Sequence, residues 1–102
     1  MEYNIKLTDE FLDELEEICD YISINLKACN SAIKLRVKVR DKIILLKKSP
    51  QRFAEIGKTD KLKREYRRMV IDNYIILYTV DENEKKVFIS HIYYGKQDYF
   101  KY

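Results

Sequence analysis

The spacing of apolar residues predicts a strand followed by a helix at the start of the chain. Apolar and polar residues alternate over 3–7, which is the period of a half-buried strand. Thr8 follows and offers an N-cap hydroxyl to a helix. The next apolar residues recur every three or four positions, as on one helix face, and they run to about residue 26: Phe11, Leu15, Ile18, Ile22 and Leu26.

A second helical stripe follows a short connection over 27–31, in which Asn30 or Ser31 is expected to cap the helix. Ser49-Pro50 is expected to end this helix, because the residue before a proline avoids the helical region. The apolar residues at helical spacing are Ala32, Leu35, Val39, Ile43 and Leu46, with Ile33, Val37 and Ile44 widening the stripe.

Beyond Gly57 the apolar period becomes two and predicts three strands, over 62–71, 74–80 and 87–94. Asp72-Asn73 is a plausible hairpin turn between the first two of them. The element order is β-α-α-β-β-β, an α+β fold in which a two-helix hairpin packs on one face of an antiparallel sheet. A chain of 102 residues suits one domain over 1–102.

Composition argues against several classes of function. No apolar run approaches the ~20 residues that cross a bilayer, and the chain start lacks a signal-peptide profile, so we expect a cytoplasmic protein without membrane contact. Cys19 and Cys29 form no CxxC pair, and His91 is the single histidine, so neither a metal site nor a disulfide is expected. The chain has no glycine-rich nucleotide motif, and we expect no cofactor.

Charge is divided unevenly between the first quarter of the chain and the rest. Residues 1–26 carry eight acidic side chains and one basic, whereas the remainder carries nineteen basic and nine acidic. Such asymmetry predicts a two-sided molecule with one face for a polyanion or an acidic partner. The alternative is that the cations only protect exposed strands from aggregation.

The basic residues concentrate in the segment 61–68, which contains five cations in eight residues. Alternation along a strand places Arg67 and Arg68 on opposite sides of the sheet, and the sequence does not fix which one faces away from the helices. In the last strand Ile89, His91 and Tyr93 are expected on one side. The other side is expected to hold Phe88, Ser90, Ile92 and Tyr94.

Cations and aromatic rings on a sheet suit contact with a phosphate backbone and bases. His91 has equal claims as a structural residue and as a proton-transfer group, because its ordinary pKa lies near neutrality. Tyr74 or Tyr78 would add a further ring. The residues expected to bind a nucleic acid or another target are Lys61, Lys63, Arg64, Tyr93, Tyr94 and Lys96.

Three features together resemble the RelE/ParE superfamily of type II toxin–antitoxin toxins. They are the β-α-α-β-β-β order with its helix end at 46–50, the hairpin over 66–78, and the ending over 89–99. The resemblance spans nearly the whole chain. It implies a bacterial toxin that a cognate antitoxin protein holds inactive. RelE-like members cleave mRNA in the ribosomal A site without a metal, and ParE-like members poison DNA gyrase.

The resemblance leaves enzyme status open between these two activities. For RNA cleavage, Arg67 or Arg68 would stabilise the charge that develops when the 2′-hydroxyl attacks phosphorus, and His91 or a tyrosine such as Tyr99 would transfer protons. RelE-like nucleases tend to carry basic residues at the positions of Ile75 and Gln97, whereas the adjacent arginines suit ParE-like members at least as well. A non-toxic nucleic-acid-binding or interaction module on the same fold is the other reading.

Overall fold

The computed structural model describes residues 2–50, 55–58 and 65–95, with the backbone alone for 55–58 and residue 65. A π-helical segment, Tyr21–Asn25, continues the first helix. The helices and strands are β1 (Asn4–Leu7), α1 (Asp9–Asp20), α2 (Cys29–Leu45), β2 (Glu55–Lys58), β3 (Glu65–Ile71), β4 (Tyr74–Asp81) and β5 (Lys86–Tyr94).

The strands form one sheet in the order β1-β5-β4-β3-β2. Neighbouring strands are antiparallel except β1, which pairs in parallel with β5. The predicted α+β fold is confirmed, and the structure adds the short strand β2 and makes the sheet mixed. The parallel pair is possible because the whole helical hairpin and the meander lie between the two strands, and parallel strands need a long crossover.

The main core lies between the helices and one side of the sheet, which we call the helix face. It buries α1, α2 and three strands against each other through residues that include Phe11, Leu35, Met69, Ile76, Tyr78, Ile89 and Ile92. A smaller buried cluster lies on the opposite side, which we call the second face; its members are Tyr66, Ile75, Leu77 and Tyr93. Both sides of the sheet therefore carry packed apolar residues.

Thr8 caps α1 and fastens it to the sheet. Its Oγ1 accepts a hydrogen bond from the Phe11 N–H at 3.2 Å, as predicted, and its hydroxyl lies 3.0 Å from the Ile89 carbonyl oxygen, to which it donates. The predicted cap of α2 was wrong. That helix begins at Cys29 after Ala28, which makes no side-chain hydrogen bond as the N-cap residue.

The helical stripes are narrower than the sequence predicts. Leu26 is 57% exposed, because the π-helical segment Tyr21–Asn25 rotates the chain out of the 3.6-residue register after Ile22. Ile33, Val37 and Ile44 are exposed as well, since α2 contacts the core only through the stripe that includes Leu35 and Val39. The wide stripe was therefore wrong, and these residues enlarge the apolar surface.

Candidate functional surface on the second face

The strand register places Arg68 and His91 on the same side of the sheet. Arg68 pairs with Leu77, and Leu77 pairs with His91. Directly paired residues point to the same side, and Leu77 belongs to the cluster on the second face. Arg68 and His91 therefore lie on that face, two strand spacings apart, which is about 10 Å between their Cα atoms.

Arg67 points to the helix face instead. It pairs with Tyr78, whose side chain is fully buried in the main core. Arg67 is half-buried, whereas Arg68 is exposed. The sequence predicts that the two arginines point to opposite sides of the sheet. The strand register shows that Arg68 is the one that faces away from the helices.

A β-bulge in β5 changes which side chains share a face. Tyr78 pairs with Ile89 and Leu77 pairs with His91, so Ser90 is the extra residue. Ile89 consequently belongs to the main core, while Tyr93 belongs to the second-face cluster. The expectation that Ile89 shares a side with His91 was wrong, because alternation does not continue through a bulge.

His91 is held by a carboxylate from α1. Its Nδ1 lies 3.1 Å from Oε1 of Glu14, and the same oxygen accepts a hydrogen bond from the Ile92 N–H at 3.2 Å. The imidazole also stacks on the Tyr93 ring, with centroids 5.4 Å apart and planes 19° apart. β1 pairs only as far as Ile89, so Glu14 reaches the edge of β5 just beyond the end of its partner strand.

Sequence analysis did not single out Glu14 among the eight acidic side chains of residues 1–26. The position of Glu14 in the sequence nevertheless indicates that its carboxylate is not fully solvated. Glu14 lies three residues after Phe11 and four before Ile18, which places it within the apolar stripe. A carboxylate at such a position needs a polar partner, since burial without one is costly.

The candidate tyrosines are divided between the two faces, as alternation in the last strand predicts for Tyr93 and Tyr94. Tyr93 lies with His91, but Tyr74 and Tyr94 meet on the helix face in an edge-to-face contact with centroids 5.7 Å apart. Burial, followed by the negative charge that Tyr94 can acquire, raises the pKa of Tyr74. The Tyr78 hydroxyl donates to the Pro50 carbonyl oxygen at 2.7 Å. A shared surface for Tyr93 and Tyr94 is therefore not formed within β5.

Several predicted site residues fall outside the described part of the chain, and their roles stay predictions: Lys61, Lys63, Arg64, Lys96 and Tyr99. Among residues 2–50 and 65–95, no three His, Cys, Asp or Glu side chains gather as metal ligands would. Over the same ranges no helix has the length and apolar character needed to cross a membrane.

Comparison with known proteins gives one family and several similar structures. The family model described as the ParE toxin of the type II toxin–antitoxin system parDE matches residues 5–99. No significant relative appears among curated sequences.

The solved structures share the fold. A chromosomal ParDE toxin–antitoxin system from P. aeruginosa has a TM-score of 0.68 and 17% identity, with 88% of this chain and 92% of that chain covered. The toxin–antitoxin complex RelBE2 from Mycobacterium tuberculosis has a TM-score of 0.56 and 15% identity, with 92% of this chain and 99% of that chain covered. A double mutant of the E. coli toxin RelE in the free state has a TM-score of 0.61 and 14% identity, with 99% of this chain and 92% of that chain covered.

Proposed function

Because the chain belongs to the ParE toxin family of type II toxin–antitoxin systems, we propose that it arrests bacterial growth by inhibiting DNA gyrase in the cytoplasm. A cognate antitoxin neutralises it. The observation that carries this proposal is the match to the ParE model over residues 5–99. ParE-like members of the superfamily act on gyrase, as the resemblance in the sequence implies.

The second face is the surface proposed to meet the target. Arg68 is exposed on this face and pairs with the cluster member Leu77, whose other neighbour, His91, stacks on the buried ring of Tyr93. An arginine at the border of a packed aromatic cluster is the composition typical of residues that dominate protein–protein binding energy. The fixed strand register keeps this arrangement rigid, which lowers the ordering cost of binding.

Induced expression in bacteria, with DNA supercoiling and mRNA integrity measured in parallel, tests the mechanism. We expect loss of supercoiling while mRNA stays intact. Arg68→Ala should weaken the arrest by about tenfold or more, as is typical for truncating a central interface arginine. Arg67→Ala is the matched control, because it removes the same side chain from the opposite face. Normal supercoiling in arrested cells would contradict the proposal.

Cleavage of mRNA on the ribosome is the second candidate, and the row Arg68–Leu77–His91 favours it. In this reaction the RNA 2′-hydroxyl attacks the adjacent phosphorus, its proton passes to Nε2 of His91, and the bond to the 5′-oxygen breaks. Arg68 stabilises the negative charge on the phosphoryl oxygens. The leaving 5′-oxygen takes a proton from a group such as Tyr99.

Purified protein added to ribosomes programmed with mRNA tests this second candidate. Primer extension should then show cuts in the mRNA, and both Arg68→Ala and His91→Asn should remove them. Each group of this kind contributes roughly 10²–10⁴-fold to a rate, so the loss should be evident. Intact mRNA at full ribosome occupancy would eliminate the nuclease reading.

Co-expression tests neutralisation by the antitoxin. The product of the neighbouring small gene should restore growth when it is expressed with the toxin. A folded chain that leaves growth unaffected and binds nucleic acid in a salt-sensitive way would instead favour the non-toxic binding module.

A further inference from the structure

A pocket of about 530 Å³ lies on the helix face at the end of α1, on the side of the sheet opposite to Arg68 and His91. We call it the tyrosine pocket. Three phenol rings, two aliphatic side chains and one carboxylate line it: Tyr21, Tyr74, Tyr94, Ile18, Leu26 and Glu17. Its walls are therefore mainly apolar and aromatic, with one acidic group.

The π-helical segment Tyr21–Asn25 forms one side of the pocket. It keeps Ile22 in the core while Tyr21 remains 56% exposed. Tyr21 follows Glu17 by four residues, a spacing that places both side chains on the same side of a helix. Segments of this type are frequent at functional sites.

The electrostatics of the tyrosine pocket favour a cation. Glu17 is exposed and forms no ion pair with any residue that the structure describes. Neither α1 nor the π-helical segment that continues it contains a basic residue in its last turn, so no cation of this helix neutralises Glu17 there. Aromatic ring faces add further attraction for a positive charge.

The hydrogen-bonding groups favour a cation with several N–H donors. Within the described ranges the hydroxyls of Tyr21, Tyr74 and Tyr94 make no hydrogen bond to the protein. The oxygen of each phenol can accept a hydrogen bond. A guanidinium group combines five donors with a planar surface that stacks on aromatic rings, whereas an ammonium group offers only a compact charge.

We propose that the tyrosine pocket binds an arginine side chain of the antitoxin, with the guanidinium at the Glu17 carboxylate and the aliphatic stem on Ile18 and Leu26. The arginine itself follows from the charge and donor complementarity of the pocket. Its assignment to the antitoxin rests on the proposed function, because the target-binding surface lies on the second face and leaves the helix face for the neutralising partner.

Titration of the full-length chain with N-acetyl-arginine amide, followed by NMR, tests the pocket itself. N-acetyl-citrulline amide is the matched neutral probe, since it has the same shape without the charge. We expect saturable shifts at Glu17, Tyr21 and Tyr94 with the arginine probe, and about tenfold weaker binding or none with citrulline. Equal binding of both probes, or no saturable shift, would overturn the arginine site.

Two variants of α1 give the charge control. Glu17→Gln should weaken the arginine probe about tenfold, whereas Glu10→Gln removes the same charge from the first turn and should leave its binding unchanged. An equal response of the two variants would show a general charge effect and overturn the site.

Growth assays then test the partner. Glu17→Gln should arrest growth as the wild type does but need about tenfold more antitoxin for rescue. Unchanged rescue, or weakened arrest, would overturn the assignment to the antitoxin. If the wild type does not arrest growth, the proposed function fails, and the probe titration still decides whether the pocket binds arginine.

Discussion

Glu14 fixes the hydrogen-bonding state of His91. A carboxylate oxygen 3.1 Å from Nδ1 can only accept, so Nδ1 must carry the proton, and Nε2 is left as the acceptor when the ring is neutral. The stacked Tyr93 ring holds the plane of the imidazole. The pair therefore determines which nitrogen His91 can offer to a ligand on the second face.

We predict that ¹⁵N NMR of the neutral imidazole shows the Nδ1–H tautomer in the wild type. Glu14→Ala should release this preference and destabilise the fold by about 1–2 kcal/mol, because the Ile92 N–H also loses its acceptor. Denaturant unfolding measures the second effect.

Glu14→Gln keeps an acceptor at this position but removes the charge. One carboxylate oxygen accepts from both Nδ1 and the Ile92 N–H, and the amide oxygen of glutamine can take its place. Exchange protection of the Ile92 N–H and the Nδ1–H tautomer should therefore both persist in Glu14→Gln, in contrast to Glu14→Ala. A neutral Nε2–H tautomer in the wild type would contradict the assigned role of Glu14.

Tyr78→Phe tests the buried link between β4 and the end of the helical hairpin. The hydroxyl of this fully buried side chain donates to the Pro50 carbonyl oxygen at 2.7 Å. Its removal leaves a buried acceptor without this bond, and we expect a loss of about 1–3 kcal/mol in the free energy of unfolding. Tyr21→Phe, at an exposed ring, is the matched control and should change stability by less than about 0.5 kcal/mol.

Periodicity predicted the elements because burial on one side imposes it. The stripe of α1 and the alternation in β4 follow from the core they face, and the turn at Asp72 follows from its tolerance of a positive φ, here 52°. These features are local, so the sequence contains them. The same argument explains why Thr8 was recognised as a cap.

The arrangement of the candidate site depended on information that is not local. In β3, Tyr66 and Met69 are both buried but on opposite faces, so apolar residues occur at both phases and cannot orient the arginines between them. The bulge at Ser90 and the π-helical segment each shift the register within an otherwise regular pattern. Neither has a signature in apolar spacing, and both move side chains to another face.

Gly95→Ala tests the close approach at the end of β5. The Gly95 N–H donates to the Asn73 carbonyl oxygen at 2.5 Å, and a Cβ at this position would lie 2.9 Å from the same oxygen. Because the obstacle is backbone, the hairpin end must move, and we expect destabilisation of about 1–3 kcal/mol by denaturant unfolding. Ser49→Ala, an exposed substitution, should stay within about 0.5 kcal/mol. Equal stability of both variants would show that the turn relaxes freely.

The two cysteines should differ in reactivity and in their effect on stability at high pH. Burial raises the pKa of Cys19, an effect that the positive charge of Arg36 partly opposes, whereas Cys29 is exposed. The folded state therefore holds the Cys19 proton more tightly than the unfolded state. Its contribution to stability is complete below the ordinary thiol value of 9.0 and falls as the pH rises from there through the raised pKa. Cys19→Ser should therefore flatten the decline in the free energy of unfolding above pH 9.0, as denaturant unfolding at several pH values would show.

Alkylation followed by mass spectrometry tests the difference in reactivity. It should label the exposed Cys29 first and the buried Cys19 only on unfolding. Early labelling of Cys19 in the folded protein would contradict its burial.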